Sequence, residues 1–484
     1  MNREFLINLL FLITINVIIK PFYVFGIDLK VQNTIEDYGL YFGLLNLTYI
    51  LQIFSDLGIH QYNNRNIAQH NYLFEKYFPH LLCLKGGLSI FFFILVFASA
   101  LLLGYDSNAL YLLIFLGFNQ VFITLIFFFR SNISGLQHYR LDSCLSILDK
   151  LIMILICIPL LWGPWQQQFT LNWFIYAQTA AFGMTAVLAF LLTKRFYQSP
   201  LRLKWNSTLL KAILKQSIPF SLVVLLMSLY TRIDGVMIER LLHDPQTQAG
   251  IKEANIYAAA YRLLDAINMI CFLFAGLLLP MFSRILQQKK PILPLLKLSV
   301  SIMLVITVSF SITTCFHAEN IMQLLYNEYT SQMPAVLILL MIGFNSIGII
   351  HIVGTLLTAR GNLMQMNVVF VIGIVINILT NYLLILSYGA WGAAISTVAT
   401  QTFVAIAEFE LIRRAFKIPL NLKYPLQVLL FVSGVCGLNW IIQQVPTYWI
   451  IQFISTGIVA VLWAFAVKIL DAKSILQVFR SKTI

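Results

Sequence analysis

The stretch LYTRIDGVMIER, residues 229–240, sets two arginines, an aspartate and a glutamate inside a run from Ser217 to Leu242 that is otherwise almost wholly apolar. A charge held at mid-membrane costs roughly 2.5–3.5 kcal/mol on insertion scales, so each of these groups needs a task or a partner. At about 100° per helical residue, Arg232 and Glu239 share a face and Asp234 points nearly opposite. Other apolar runs carry polar stripes too. Asn16, Lys20 and Tyr23 share one side of the first, where Pro21 is expected to kink the helix. Tyr38, Tyr41, Thr48, Tyr49, Gln52 and Asp56 fall within about a third of the second's circumference. Tyr257, Tyr261, Asp265 and Asn268 form a stripe in another, with Arg262 at its edge. The cations Lys20, Arg232 and Arg262 suit an anionic ligand. Asp234 and Asp265, with Asp56 and Glu239, are candidates for gating or ion coupling.

Blander readings exist for each. Lys20 can snorkel to the membrane edge, Arg262 and Asp265 can pair at i and i+3, and Asp56 with His60 can be ordinary helix-end residues. Convergence of all the stripes on one water-filled cavity favours function.

These residues sit on elements that the composition identifies. Apolar residues make up 60% of the 484 and charged residues 11%, against about 25% charged in soluble domains. A transmembrane helix needs about 20 apolar residues. On that scale, spans fall near 5–27, 38–58, 81–104, 109–129, 144–162, 170–193, 217–241 and 254–281, then 298–316, 333–358, 364–387, 389–412, 425–443 and 448–470. The chain is therefore expected to be an all-α polytopic membrane protein of about fourteen spans. Alternating ten-residue segments, which a barrel would need, are absent. The first span lacks a small-residue cleavage site and reads as a retained helix. The stretches 60–80 and 194–216 read as interfacial helices or as plain connecting loops.

The net charge of +13 is a topology signal rather than a nucleic-acid patch. Most of the 32 basic residues, Lys85 and Lys150 among them, are assigned to one set of span ends and loops, which places both termini in the cytoplasm. The six cysteines show no metal-ligand spacing. No metal or cofactor is expected, and the chain has no phosphate-binding GxxxxGK[ST] loop.

Two parts of the chain resemble each other. Lys20 corresponds to Arg232, EDYGLYFGLLN (36–46) to EANIYAAAYRL (253–263), and TKRF (193–196) to IRRAF (412–416). The expected organisation is a six-helix lobe over 1–196, a second over 197–416, and two added helices with a tail over 417–484. An even number of spans makes the repeats parallel, with a ligand site between them near the midplane.

YTRIDGVMIERLL, EANIYAAAYRLLDAINM and FAGLLLPMFSRIL resemble the seventh and eighth helices of bacterial polysaccharide (O-antigen-type, Wzx-like) flippases. These belong to the multidrug/oligosaccharidyl-lipid/polysaccharide (MOP) exporter superfamily. Residues 36–69 resemble the family's second helix and inner loop, and 318–340 the entry to its tenth. The resemblance implies an inner-membrane flippase, not an enzyme, that moves undecaprenyl-diphosphate-linked oligosaccharide by alternating access for surface polysaccharide and lipopolysaccharide synthesis. By that resemblance Lys20, Arg232 and Arg262 would contact diphosphate or acidic sugar, and Tyr41, Tyr49, Tyr257 and Tyr261 would offer rings for sugar stacking. The implied partners are the lipid-linked oligosaccharide, the bilayer, and a polysaccharide polymerase and glycosyltransferases, with the chain itself a monomer. Two rivals stand beside this reading. A multidrug exporter would favour an acidic cavity, and a membrane O-antigen polymerase or ligase would need a large outer catalytic loop, whereas the outer loops here are short.

Overall fold

The computed structural model describes residues 19–470, apart from positions 20, 36, 70, 137, 199, 201, 245, 328 and 419–422. Lys20 and the opening of the first span therefore lie outside the described residues. No strand occurs among those described, and eleven helices are long and apolar enough to cross a membrane. The architecture is that of an all-α polytopic membrane protein.

Two compact units divide after Asn255. The first holds α1 (Tyr38–Leu51), α2 (Ile59–Gln69), α3 (Leu73–Leu102), α4 (Ser107–Gly135), α5 (Tyr139–Trp162), α6 (Leu171–Phe196), α7 (Ser207–Leu241) and the first turns of α8 (Ala249–Gln287). It is preceded by a π-helical turn, Tyr23–Asp28, two residues after Pro21. Widened turns of this kind arise where the ordinary hydrogen-bond ladder is interrupted. A 3-10 turn, Gln52–Ser55, extends α1.

Side-chain hydrogen bonds define where helices begin. The Ala109 N–H donates to Asp106 at the start of α4, and the Leu209 N–H donates to Asn206 at the start of α7. Of the stretch 194–216, expected to be an interfacial helix or a connecting loop, residues 207–216 are thus the opening of α7. Residues 59–69 form α2, and it docks on the bundle: buried Asn63 donates to Ser131 and to Asn132 of α4.

Helices α1 and α7 run antiparallel at close range. A Cβ on Gly43 would lie 3.2 Å from the Glu239 Cβ, and one on Gly235 would lie 2.7 Å from the Phe42 ring. Gly43 of α1 and Gly235 of α7 let the two backbones approach, which brings the polar residues of both helices into one neighbourhood.

The second unit comprises the rest of α8, α9 (Leu293–Phe316), α10 (Ala318–Leu325), α11 (Gln332–Arg360), α12 (Leu363–Phe416), α13 (Lys423–Gln443) and α14 (Trp449–Ala466). The expected spans 364–387 and 389–412 are the two arms of α12, parted at Gly389, whose φ of 56° and ψ of −134° are non-helical. That backbone conformation carries a steric penalty for residues with a Cβ. The arms are antiparallel: Thr380 and Ser396 join through their hydroxyls, and a Cβ on Gly373 would lie 3.1 Å from Val404. Helices α13 and α14 pack on α9 through Leu304, Val308, Phe431, Val435, Ala460 and Ala464.

Candidate functional site

In the first unit, cations of α5 and α7 lie against rings of α1, of α6 and of the turn at 23–28. The Arg232 guanidinium lies 5.4 Å from the centre of the Tyr49 ring, a cation–π arrangement. Both residues are only partly buried. Opposite in sequence, Lys150 sits halfway along α5, its Nζ 4.8 Å from the Tyr23 ring centre and 4.9 Å from that of Phe182. Its ion-pair partner is Asp149 at 3.3 Å, and buried Asp28 and half-buried Tyr49 lie within electrostatic reach. Hydropathy alone had put Lys150 among the span-end cations. The helix begins five residues earlier than expected, at Tyr139, and this carries Lys150 into the middle of the span.

Tyr41 is placed differently. It is buried, its hydroxyl accepts from the Gln178 Nε2 at 2.8 Å, and its ring meets Phe174 edge-on at 5.5 Å. This tyrosine anchors α1 to α6, whereas Tyr49 keeps part of its surface open.

Asp56 follows the 3-10 turn after α1, whereas Glu239 packs against Gly43, thirteen residues earlier and on the order of 20 Å away along the helix. Asp56 is buried in an ion pair with Lys85 of α3, and its other oxygen meets the His60 Nδ1 at 2.6 Å. Lys85, another residue assigned to the span ends, is fully buried. It also donates to the Ser55 carbonyl at 3.2 Å. Glu239 accepts both the Nε and an Nη of Arg240, at 2.8 and 2.6 Å. Arg240 in turn lies 4.0 Å from the Tyr105 ring centre and donates to the Leu103 carbonyl. Burial, and next the Glu239 charge, push the Tyr105 phenol above its ordinary pKa. Asp234 is buried on α7.

In the second unit, Tyr257 and Tyr261 stack at 5.5 Å, and both are buried. The Tyr257 hydroxyl shares a hydrogen with Thr397 at 2.9 Å. Arg262, Asp265 and Asn268 follow on α8, each partly exposed, and Asn268 meets the His351 Nε2 of α11 at 2.9 Å. Two acids escaped the sequence reading, Asp28 and Glu408. Glu408 is wholly buried on the second arm of α12 against Gly354, and neither carboxyl oxygen has a hydrogen-bond partner among the described residues. Its signal was a lone acid in an apolar run, AIAEFE.

The first unit thus presents two partly exposed cations beside aromatic rings within apolar helices, and the second sets Arg262 next in sequence to a stacked tyrosine pair.

Comparison with known proteins follows the same line. The lipid II flippase MurJ, in an inward closed conformation, matches with a TM-score of 0.69 and 16% identity, covering 93% of this chain and 97% of that one. The Vibrio cholerae MATE transporter VcmN matches with a TM-score of 0.60 and 15% identity, over 85% of this chain and 95% of that one. A MOP superfamily transporter from Pyrococcus furiosus matches at 0.56 and 14%, over 85% and 94%. At these identities the likeness is one of fold, and the fold is that of MOP transporters. No curated protein matches the sequence significantly. The model of a family described as polysaccharide biosynthesis protein matches residues 6–286, more than half of the chain. With that match added to the fold and to the cationic, tyrosine-lined helices, the chain belongs to the polysaccharide biosynthesis protein family.

Proposed function

We propose that this protein is a flippase that carries a diphosphate-linked lipid oligosaccharide across the bacterial cytoplasmic membrane, by alternating access between two lobes, during surface polysaccharide synthesis. The observation that carries the reading is the pair of mid-span cations, Arg232 over Tyr49 and Lys150 between Tyr23 and Phe182. A diphosphate needs more than one cationic donor, and arginine's planar fork suits its oxygens better than a point charge does. The family match and the MurJ-like fold agree with it. Lys20 and Arg262 are the proposed further contacts, Tyr49 a stacking face for sugar, and Asp234 and Asp265 the coupling groups. On this reading both termini are cytoplasmic, the spans form two six-helix repeats with two added helices, and glycosyltransferases and a polymerase work beside the protein. The direction of transport is set by an ion gradient, the membrane potential or consumption of the product outside.

Arg232→Ala and Lys20→Ala should each abolish complementation of surface polysaccharide at normal expression, and Arg232→Lys should keep part of it. Lys150→Ala joins the same assay. Full complementation by both alanine variants at positions 232 and 150 would remove the cationic site from the mechanism.

A second reading, an exporter of cationic compounds, is favoured by buried Asp28, Asp234 and Glu408 and by the MATE-like fold. It forecasts drug resistance on expression and no polysaccharide phenotype on deletion.

A further inference from the structure

Away from the cationic site, the seam between α4 and α6 in the first unit carries two hollows, one above the other. At the end where both helices begin there is a cavity of about 690 Å³. Its floor is apolar and buried, from Ile35, Leu112, Phe169 and Leu171. Its rim is exposed and polar, from Asp37, Asp106, Asn108, Thr170, Asn172 and Gln248. No lysine or arginine lines it among the described residues. Asp37, which lines the cavity, stands at the N-cap of α1 and accepts no capping hydrogen bond there.

Farther along the same seam lies an apolar groove of about 470 Å³, lined by Phe115, Phe122, Tyr176, Ala180, Gly183 and Met184, with Thr179. The two hollows meet at a tyrosine pair: Tyr111 lines the cavity, Tyr176 lines the groove, and their hydroxyls are 2.7 Å apart. From Asn108 to Phe122 the helix advances about 21 Å, of the order of one leaflet, since the hydrocarbon core is about 30 Å thick.

We infer that this seam is a docking site for a glycolipid, the saccharide seated in the polar-rimmed cavity and the lipid chain lying in the groove. A sugar ring has apolar C–H faces and a rim of hydroxyls, which the apolar floor and the amide, hydroxyl and carboxylate rim match in kind. Among the described residues the rim carries carboxylates and neither lysine nor arginine, so it suits neutral or amino sugars better than acidic ones. The cavity and the groove lie along one pair of helices on either side of the tyrosine pair, and on this inference the groove's occupant is the chain of that same amphiphile. The inference rests on the flippase reading for its glycolipid. On the topology proposed above, the site borders the outer leaflet, where a translocated molecule would rest before release.

The test uses the full-length protein in nanodiscs with a benzophenone amino acid at position 184, on the groove. The probes are undecaprenyl-diphosphate N-acetylglucosamine and the sugar-free undecaprenyl diphosphate. The glycosylated lipid should crosslink at position 184 in preference to the sugar-free one. Asn108→Ala combined with Asn172→Ala should cut that crosslink by roughly tenfold, as expected for two lost hydrogen bonds. Gly183→Leu should block the groove without disturbing the fold, because its Cβ would meet only the Phe122 ring at 3.5 Å, an ordinary contact. Arg232→Ala should leave the crosslink intact. Equal crosslinking by both lipids, or a crosslink unmoved by the double variant and by Gly183→Leu, would overturn the seam as a saccharide-reading site. Preference for the glycosylated lipid in a protein that complements no polysaccharide defect would instead overturn the flippase reading and leave the seam standing.

Discussion

Asp56, Lys85 and His60 show how much a single buried charge depends on its neighbours. The Lys85 ammonium has no exposure to water and is balanced by Asp56 and the Ser55 carbonyl. Removing one partner of such a pair costs about 3–5 kcal/mol, while replacing both with apolar groups is often neutral. Asp56→Asn should therefore lower the unfolding midpoint in detergent sharply, and Asp56→Leu with Lys85→Met should restore most of it. If the double variant also transports, the pair is architectural. If it is stable and inactive, Asp56 is part of the gate. His317 offers a pH reading. It is buried beyond the end of α9, between Trp449 and Phe453 at 6.2 and 6.1 Å, and burial lowers its pKa below the ordinary value. A lowered imidazole pKa means the neutral form fits the fold, so its stabilisation is complete above about pH 6.5 and is lost as the pH falls through the folded value. Thermal unfolding and Trp449 fluorescence should both show a loss of α14 packing on acidification, and His317→Phe should abolish that dependence. A pH-independent wild type would contradict it. Neither residue's role was legible in the sequence. Lys85 and Lys150 read as span-end cations because hydropathy is one-dimensional, and the aspartate and the aromatic rings that hold them come from other helices.

Helices were far more legible, because a membrane span announces itself through a run of apolar residues long enough to cross. The expected starts and ends of α6, α11 and α13 agree with those observed to within a few residues. Departures occur where amphipathic turns extend the apolar core: α7 starts ten residues before the expected span, and α8 runs to 39 residues. The contacts between helices were hidden, since they depend on shape. Gly434 is a case in point. A Cβ there would overlap the Trp463 Nε1, while that indole N–H donates to the Leu430 carbonyl at 3.3 Å. Gly434→Val should force α13 and α14 apart and cost about 1–3 kcal/mol, the usual scale of overpacking. Adding Trp463→Ala should recover part of that loss, measured by thermal unfolding. An unaffected single variant would mean that the pair is loosely packed.

At the scale of the whole molecule, the all-α polytopic fold followed from composition and span length, and the family from the quoted helix motifs. The paired hollows on the α4–α6 seam did not, since their linings come from several separate turns. Topology is the expectation to test next. Reporter fusions or cysteine labelling after residues 107, 165, 248 and 446 should report outside, and after 138, 205 and 287 inside. A fusion placing 205 outside would break the proposed six-span repeat. The Gly389 reversal bears on how the molecule is made. Fifty-four residues from Leu363 to Phe416 leave the ribosome with only a single non-helical residue to divide them. There is no hydrophilic loop at that point for either side of the bilayer to retain. The two arms must then enter the membrane together, as one helical hairpin, and the arginines at its open end, Arg360, Arg413 and Arg414, decide which way that hairpin faces during biogenesis.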